Sequence, residues 1–294
     1  MKKLLLILIV LMLIPAPAQA GFWANHKAKA AQARQVKADY NNIKAVLDSQ
    51  LVLSNKYDLD GLAALYSDDF VNCDGFNKEV YFKLVKDTWD TYKNIAYTAK
   101  VENIYYDGDY AQAQVFETAM ATTTEVEENM PTDGELVSAA DCIYYLKKSG
   151  QKWVIASENV INEKSLLRYG DARYVDVDIT APAIVSAGKP YTASLKFDIP
   201  KNSVAVASIS NSRVEYPQVQ SEDAFRKMPE DSDLERILKA NKDNVNEYAV
   251  GAVGIAKSDG QKVYLAGLAF ILSRVNVIPE NKFIKIEEDN GKGK

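Results

Sequence analysis

The first part of the chain carries apolar residues at helical spacing. Five of them recur at three- and four-residue steps, which predicts an amphipathic helix from Val36 to about Asn55. They are Val36, Tyr40, Ile43, Leu47 and Leu51. Asp58 is placed to cap a second, short helix, and Asn77 is placed to cap a third. The pattern therefore predicts helices throughout this part of the chain.

Long runs with strand-like composition follow these helices. They cover roughly residues 95–106, 110–126, 136–147 and 152–161. The turn sequences DGD, MPTDG and KSGQ separate them, and each contains the Gly or Asp that tight turns favour. Helices followed by a meander of strands predict an α+β domain, which we delimit as residues 21–170.

The next part of the chain has short apolar runs between Pro and Gly turns. This pattern is typical of a β-sandwich and predicts a second domain over residues 171–280, with a boundary near Asp171 to Tyr174. Strands are predicted from Tyr248 to Ala256 and from Val263 to Val277.

A highly charged stretch interrupts this second part. We predict that residues 217–244 form an insertion at the edge of the sandwich, with one short helix from Ser232 to Ala240. The charged segment after the last strand, residues 281–294, is predicted to be a disordered tail.

The start of the chain has the layout of a secretory signal peptide. Two lysines precede an apolar run from Leu4 to Ile14, and small residues end at Ala20. We therefore predict a signal peptide over residues 1–20 and a periplasmic or secreted mature protein. The run of 11 apolar residues is shorter than the roughly 20 that a spanning helix needs, so no stable membrane anchor is expected.

Charge and motifs narrow the classes of partner. The formal net charge is −5, and the predicted signal peptide carries two of the 35 basic and none of the 40 acidic residues. The mature chain then has 33 basic against 40 acidic residues, or −7, which predicts no nucleic acid partner. The motifs GxGxxG, GxxxxGKS/T, GxSxG and HExxH do not occur in the sequence. We therefore predict no cofactor.

Potential metal ligands are sparse. The chain has two cysteines, Cys73 and Cys142, and one histidine, His26, and their spacing matches no zinc pattern. The segment FVNCDG lacks the acidic residues that a calcium loop needs at both ends. No metal site is predicted.

The segment YDLDGLAALYSDDFVNCDG, followed by a helix and a meander of long strands, resembles the nuclear transport factor 2-like superfamily. That superfamily includes SnoaL-like polyketide cyclases and ketosteroid isomerase-like proteins, and the resemblance spans roughly residues 36–165. It implies a cone of three helices wrapped by a curved antiparallel sheet, with a pocket at the wide end. The later segment ITAPAIVSAGKPYTASLKFDIP resembles the opening strands of a bacterial immunoglobulin-like domain. Such a fold alone does not settle function.

The acids of this segment have different expected roles. Asp58 and Asp60 fit the start of the second helix. Comparison with the isomerase-like members implies that Asp74 is a general base and that Asp141 is an oxyanion donor, while Gln50 replaces the family's oxyanion-hole tyrosine. An ordinary Asp-Gly turn and a paired strand aspartate are the alternatives for Asp74 and Asp141. The other acids of the segment, Asp68 and Asp69, are expected to be solvated.

Several polar and aromatic residues are candidates to line the implied pocket, although ordinary core packing is the alternative for the aromatic ones. The candidates are Gln50, Trp89, Tyr92, Tyr97, Tyr105, Tyr144 and Trp153. In the family's sheet the strand of Cys73 lies two strands from that of Cys142. A separation of roughly 9 to 10 Å exceeds the reach of a disulfide, so both thiols are predicted to be free.

These expectations lead to one main hypothesis and two alternatives. The main hypothesis is an exported protein whose cone binds a small apolar molecule or a peptide without catalysis. The first alternative is an isomerase or hydro-lyase that uses Asp74 and Asp141. The second is a protein-interaction module, and a homodimer through the face of the sheet is also considered.

Overall fold

The structure is a computed structural model that describes residues 17–126, 130, 132–217, 224–229 and 232–280. The chain divides into two compact units, residues 1–45 and residues 46–294. The predicted signal peptide, residues 1–20, lies largely outside the described residues, and the predicted tail, residues 281–294, lies wholly outside them. Among the described helices, none is long and apolar enough to cross a membrane.

The helices precede the first sheet, as the sequence predicts. They are α1 (Pro17–Asn55), α2 (Leu59–Ala63) and α3 (Lys78–Thr91). The side chain of Asp58 accepts a hydrogen bond from the Gly61 amide at 2.9 Å, and that of Asn77 accepts one from the Val80 amide at 3.0 Å. Both predicted caps are therefore confirmed, while α1 begins well before Val36.

A meander of antiparallel strands follows, and each of its predicted strands is confirmed. The strands are β1 (Tyr92–Asp107), β2 (Tyr110–Val126), β3 (Asp133–Ser149) and β4 (Lys152–Gly170). The last of them continues beyond Ile161 because its second half pairs with a strand from the later part of the chain. Helices followed by this meander make an α+β arrangement, in the order that the resemblance implies.

The later part of the chain begins with a 3-10 helix at Asp171–Tyr174 and is otherwise built of strands. They are β5 (Val177–Thr180), β6 (Ile184–Ser186), β7 (Pro190–Phe197), β8 (Ser203–Arg213), β9 (Arg226–Lys227), β10 (Asp233–Lys239), β11 (Glu247–Ser258) and β12 (Val263–Ile278). The strands predicted from Tyr248 to Ala256 and from Val263 to Val277 are confirmed as β11 and β12.

Both parts of the chain contribute to one sheet. Within the described residues it has nine strands in the order β1-β2-β3-β4-β12-β11-β8-β9, with β6 parallel to β12. A second sheet has the order β10-β7-β5. Because β4 pairs with β12, hydrogen bonding continues across the predicted domain boundary. Two separable domains stay a prediction, which limited proteolysis near Tyr174 tests.

An apolar core lies between the second sheet and the end of the first sheet that holds β8, β11 and β12. Leu195 and Phe197 of β7 belong to the same buried cluster as Ile209 of β8, Ile255 of β11 and Ile271 of β12. Every second residue of β7 is buried, as expected for a strand with one face on a core. This packing of sheet on sheet is a sandwich-like feature, and its immunoglobulin-like identity stays a prediction.

The helix predicted from Ser232 to Ala240 is wrong, because these residues form strand β10. Leu234 and Leu238 are both buried. A spacing of four fits one face of a helix and equally one face of a strand. Pairing with β7 at the edge of the sheet determines the outcome. The rest of the predicted insertion includes residues 218–223 and 230–231, which lie outside the described residues.

Candidate functional site

A cavity of about 150 Å³ lies between the helices and one face of strands β1 to β4. Its aromatic walls are Tyr66, Tyr81, Trp89, Tyr97 and Tyr144. Its aliphatic lining is Leu47, Leu51, Leu62, Val85, Ala99, Val101 and Val115. Its polar lining is Asp48, Gln50, Ser54, Thr98, Glu117 and Glu158. The site is therefore an aromatic pocket that contains a small group of polar side chains.

The polar side chains meet at the hydroxyl group of Tyr144. Gln50 Nε2 donates to this hydroxyl at 3.0 Å and to the Tyr66 hydroxyl at 3.0 Å. The Tyr144 hydroxyl lies 2.9 Å from Glu117 Oε1 and 3.5 Å from Glu158 Oε1. A phenol has one proton to donate, so Tyr144 satisfies Glu117 and leaves Glu158 at the limit of hydrogen-bonding distance.

Strand alternation brings Glu117 into the cavity. Ala111, Ala113 and Val115 of β2 are buried at every second position, and Glu117 is the next residue in that series. The sequence analysis missed this residue. The alternation was visible in the sequence, because a glutamate that continues a buried apolar series is unusual unless it is paired or functional.

A β-bulge brings Glu158 to the same face. Trp153 and Ile155 of β4 are buried, so plain alternation would point Glu158 outwards. The register against β3 shifts between the pairs Tyr145–Ser157 and Leu146–Ile155, which leaves Ala156 as an extra residue. An extra residue reverses which side chains face inwards. No pattern in the sequence marked this bulge, and Glu158 was therefore also missed.

The two glutamates hold their protons to unusually high pH. Burial raises the pKa of Glu117 to about 7, although the hydrogen bond from Tyr144 opposes this rise. Burial, together with the negative charge of Glu117, raises the pKa of Glu158 to about 7, although a hydrogen bond from Tyr81 opposes this rise. Because the groups interact, they titrate as a pair that holds a proton near neutral pH. Burial also raises the pKa of Tyr66 and Tyr144, which remain neutral hydrogen-bonding groups.

Glu117, Glu158 and the nearby Cys142 could in principle hold a metal ion, since their ligand atoms lie within 4.8 Å of one another. Each of these groups must lose its proton to bind a metal. Burial raises the pKa of the Cys142 thiol, which disfavours the thiolate ligand. The chemistry of this donor set therefore fits protons or hydrogen-bonding ligands better than a metal.

The structure brings four of the predicted pocket residues into the cavity lining. They are Gln50, Trp89, Tyr97 and Tyr144. Trp89 Nε1 donates a hydrogen bond to the Tyr97 hydroxyl at 3.0 Å, which fixes the two rings on one wall. Gln50 lies at the polar cluster, so its amide supplies hydrogen bonds inside the cavity.

The other three predicted pocket residues do not line this cavity. Tyr105 is 59% exposed because a shift in the β1–β2 register after Val101 turns its side chain outwards. Tyr92 is the C-cap of α3 and begins β1, where it interacts with Tyr169 of β4. Trp153 is buried at the start of β4, where Lys148 Nζ lies 5.1 Å from the centroid of its ring.

Asp74 lies in a buried ion pair instead of at the mouth of the cavity. Its Oδ1 accepts hydrogen bonds from Arg274 of β12 at 2.5 Å and from Asn246 Nδ2 at 2.8 Å. The side chains of Arg274 and Asp74 are 1% and 5% exposed. Asn72 builds the turn locally, because its side chain accepts the amides of Asp74 and Phe76. The expected position at the pocket mouth is therefore wrong.

Asp141 also lies outside the cavity. Its neighbours Cys142, Tyr144 and Leu146 are the buried residues of β3, so alternation turns Asp141 to the opposite face. There its Oδ2 accepts a hydrogen bond from Asn162 at 3.3 Å, and it lines a separate groove. The expectation that Asp141 lies deep in the pocket is wrong.

The predicted free thiols are confirmed, since neither cysteine forms a disulfide. The strand arrangement behind that prediction holds in part, because Cys73 lies beside β4 as expected but in a turn instead of a strand. The Cys73 amide donates to the Glu158 carbonyl of β4 at 2.8 Å, and Cys142 of β3 pairs with Val160 of β4. One strand therefore separates the two cysteines, as the resemblance implies.

Comparisons with known proteins give only distant similarity. No protein-family model matches the chain, and no curated protein matches it. Among solved structures, a conserved protein from Planctomyces limnophilus is 21% identical, with 42% of this chain and 94% of that chain covered and a TM-score of 0.36. A hexachlorocyclohexane dehydrochlorinase, LinA type 2, is 15% identical, with 42% and 84% covered and a TM-score of 0.37.

A third similar structure is ActVI-ORFA from Streptomyces coelicolor. It is 14% identical, with 42% of this chain and 93% of that chain covered and a TM-score of 0.31. Similarities at this level carry no conclusion about the activity of this chain. The cavity and its side chains are the basis for any functional assignment.

Proposed function

We propose that α2, α3, strands β1 to β4 and the part of α1 from residue 46 form a nuclear transport factor 2-like cone that binds a small molecule. The observation that carries this proposal is the aromatic cavity of about 150 Å³ with a polar cluster at Tyr144. A cavity of about this size is large enough for a benzene ring. The favoured ligand therefore has an apolar body of about that size and one polar group.

The lining has the composition that small-molecule sites share. Apolar and aromatic side chains provide most of the contact surface, and a few placed polar groups fix the orientation of the ligand. Here Gln50, Tyr144 and the two glutamates are those polar groups. Binding without catalysis and export to the periplasm or outside the cell remain parts of this proposal. A sheet-face homodimer stays a prediction.

The proposal is tested by ligand-observed NMR with benzyl alcohol and a matched pair of variants. Ala99 lines the cavity, whereas Ala64 at the end of α2 is exposed and lies outside it. We expect binding to the native protein, loss of binding in Ala99→Phe because the new ring fills the cavity, and retained binding in Ala64→Phe. Equal binding by both variants would show that the alcohol binds elsewhere.

A second candidate function rests on the Glu117–Glu158 pair. Two neighbouring carboxyl groups that titrate near neutral pH can supply an acid and a base in one site. This moves the isomerase or hydro-lyase hypothesis from Asp74 and Asp141 to the cavity. The test follows deuterium exchange α to the carbonyl of cyclohexenone by NMR.

If this pair is catalytic, Glu158→Gln should slow the exchange by about 10² to 10⁴. The control Glu102→Gln, on the exposed side of β1, should leave it unchanged. Native protein that exchanges no faster than buffer contradicts catalysis on this ketone and favours binding alone.

A further inference from the structure

The charge of the cavity lining is one-sided. Asp48, Glu117 and Glu158 contribute three carboxyl groups, and within the described residues no Lys, Arg or His lines the cavity. An anionic ligand would meet only negative or neutral groups there. A positively charged ligand would meet carboxylates and the faces of aromatic rings, both of which attract cations.

The two glutamates are close enough for one ammonium group to reach both. Their nearest carboxylate oxygens lie within 4.8 Å of each other. A tetrahedral nitrogen that donates to two oxygens at about 2.8 Å holds those oxygens roughly 4.6 Å apart. One nitrogen can therefore bridge Glu117 and Glu158, while the Tyr144 hydroxyl remains bonded to Glu117.

The aromatic walls suit the carbon body of such a ligand. Trp89 and Tyr97 are held together by their hydrogen bond, and Trp89 also packs edge to face on Tyr57 with ring centroids 5.3 Å apart. Rigid aromatic rings beside a carboxylate pair are a common arrangement for binding organic cations, because the ring faces carry partial negative charge.

We propose that the ligand class of this cavity is a small protonated amine, with its ammonium group between Glu117 and Glu158 and its apolar body against the aromatic walls. This inference rests on the proposed function, since it specifies the ligand of the same cavity. The positive charge of the amine replaces a proton that the glutamate pair holds near neutral pH. Binding therefore releases up to one proton: a carboxyl O–H bond breaks, and the proton passes to water or buffer. The amine itself is held by hydrogen bonds alone.

The groups around the pair determine how this exchange depends on pH. Six titratable side chains surround the glutamate pair. They are Asp48 of α1, Tyr66, Tyr81 of α3, Tyr97 of β1, and Cys142 and Tyr144 of β3. Beyond the wall, Asp74 and Glu163 add negative charge near Glu158, and Arg274 is paired with Asp74. The tyrosines and the thiol stay neutral near pH 7, because burial raises their pKa values. The two glutamates, in contrast to these tyrosines and this thiol, have pKa values of about 7.

The sign of the pH dependence follows from this. Below about pH 6 both glutamates are protonated, so an ammonium ion finds no counter-charge between Glu117 and Glu158 and binds weakly there. Affinity rises as pH increases through about 7. It falls again only when the amine itself loses its proton, at about pH 10 for an ordinary alkyl amine.

The experiment compares three probes of similar shape, benzylamine, benzyl alcohol and benzoate, by calorimetric and NMR titration at pH 8 and pH 5. At pH 8 we expect benzylamine to bind at least about tenfold more tightly than benzyl alcohol and benzoate to bind most weakly. At pH 5 the advantage of the amine should disappear. Titration in two buffers of different ionisation enthalpy should show proton release near pH 7.

Variants localise the effect. In the double variant Glu117→Gln/Glu158→Gln the ratio of amine to alcohol affinity should fall to about one at pH 8, and Glu102→Gln should keep the native ratio. The inference is overturned if benzyl alcohol binds as tightly as benzylamine at pH 8, or if benzoate binds more tightly than benzylamine. Either result would still support a small-molecule site. Failure of every probe to bind overturns the proposed function as well. The native pH profile decides the question even if the double variant does not fold.

Discussion

Two regions of this chain bury glutamate side chains, and they do so differently. In the sandwich-like part, Glu247 at the start of β11 is 1% exposed. Its Oε1 accepts hydrogen bonds from Tyr191 at 2.9 Å and Asn211 at 3.1 Å, and its Oε2 accepts two from Asn241, at 3.1 and 3.3 Å. Each oxygen is thus held by two donors, which offset the loss of water.

In the cavity, by contrast, each glutamate has one tyrosine as its donor: Tyr144 donates to Glu117 at 2.9 Å, and Tyr81 donates to Glu158, which Tyr144 approaches only to 3.5 Å. With fewer hydrogen-bond donors, the charged forms of these glutamates are not compensated for the loss of water. Their pKa values are therefore raised to about 7. The difference shows where chemistry is available. A fully bonded carboxylate fixes the fold, whereas an under-bonded pair beside a cavity can still bind a ligand or exchange a proton.

Asp74 is another buried carboxylate, held by an ion pair, and its variants should give the largest effect on stability. Arg274→Met removes the cation but leaves the Asp74 charge buried, with Asn246 as a remaining partner. We expect a loss of about 3–5 kcal/mol in the free energy of unfolding, measured by urea denaturation. If Asp74 were instead a solvated group at the pocket mouth, the loss would be small.

Two further variants sharpen this result. Arg213→Met breaks the exposed ion pair with Asp243 and should cost no more than about 1 kcal/mol. The double variant Asp74→Leu/Arg274→Met removes both buried charges and should recover much of the lost stability. No recovery would indicate that Arg274 acts through packing.

The glutamate pair predicts a pH-dependent loss of stability. Its pKa values are raised in the folded state, so its stabilising contribution is complete below about pH 4.5 and is lost as pH rises through about 7. For one such group the loss amounts to about 3 kcal/mol. Urea denaturation from pH 5 to pH 8 should therefore show a steeper decline for the native protein than for Glu117→Gln/Glu158→Gln.

The matched control for this slope is Glu102→Gln, which removes an exposed carboxylate from β1. Its decline with pH should follow that of the native protein. Identical slopes for the native protein and the double variant would contradict the raised pKa values, and with them the contrast between the cavity and Glu247.

Removing one tyrosine hydroxyl from each region gives a smaller effect. Tyr191→Phe removes one of the four hydrogen bonds to Glu247 and should lower the free energy of unfolding by about 1–2 kcal/mol, measured by urea denaturation. Tyr110→Phe, at an exposed position, should cause no measurable change.

Tyr144→Phe should act mainly by changing the pKa of Glu117. The hydrogen bond from Tyr144 lowers the pKa of Glu117, so its loss should move the pH-dependent step upwards. If the pH of this step does not change, the Tyr144 hydroxyl does not stabilise the charged form of Glu117.

Local chemistry made much of the fold predictable from the sequence. Asp58 and Asn77 cap helices because their side chains reach amides a few residues away, and these contacts need no tertiary information. The turns between β1 and β4 likewise depend on Gly and Asp in the turn itself. The helix predicted from Ser232 to Ala240 was wrong for the opposite reason, because these residues form a strand through pairing with β7, which is distant in the sequence.

The site was harder to predict because small shifts decide which side chains face the cavity. The bulge at Ala156 turns Glu158 inwards, and a register shift turns Tyr105 outwards. Neither leaves a mark on the period of the sequence. Asp74 looked like an ordinary turn residue or a base because its partner, Arg274, is 200 residues away in the chain. Only the folded chain brings the two together.

The smallest effect is expected at the surface, where Lys147 Nζ lies 2.6 Å from Asp69. A hydrogen bond from Lys147 lowers the pKa of Asp69, but the carboxylate is largely solvated and dissolved salt screens the pair. Lys147→Met should therefore raise the pKa of Asp69 towards its ordinary value, as followed by NMR, without a measurable change in the urea midpoint at neutral pH. The stabilisation from a lowered pKa is present above the ordinary value and is lost on acidification, so any difference should vanish at low pH. A large loss of stability at neutral pH would mean that this surface pair acts like the buried pair of Asp74, and that burial does not separate the two classes of carboxylate.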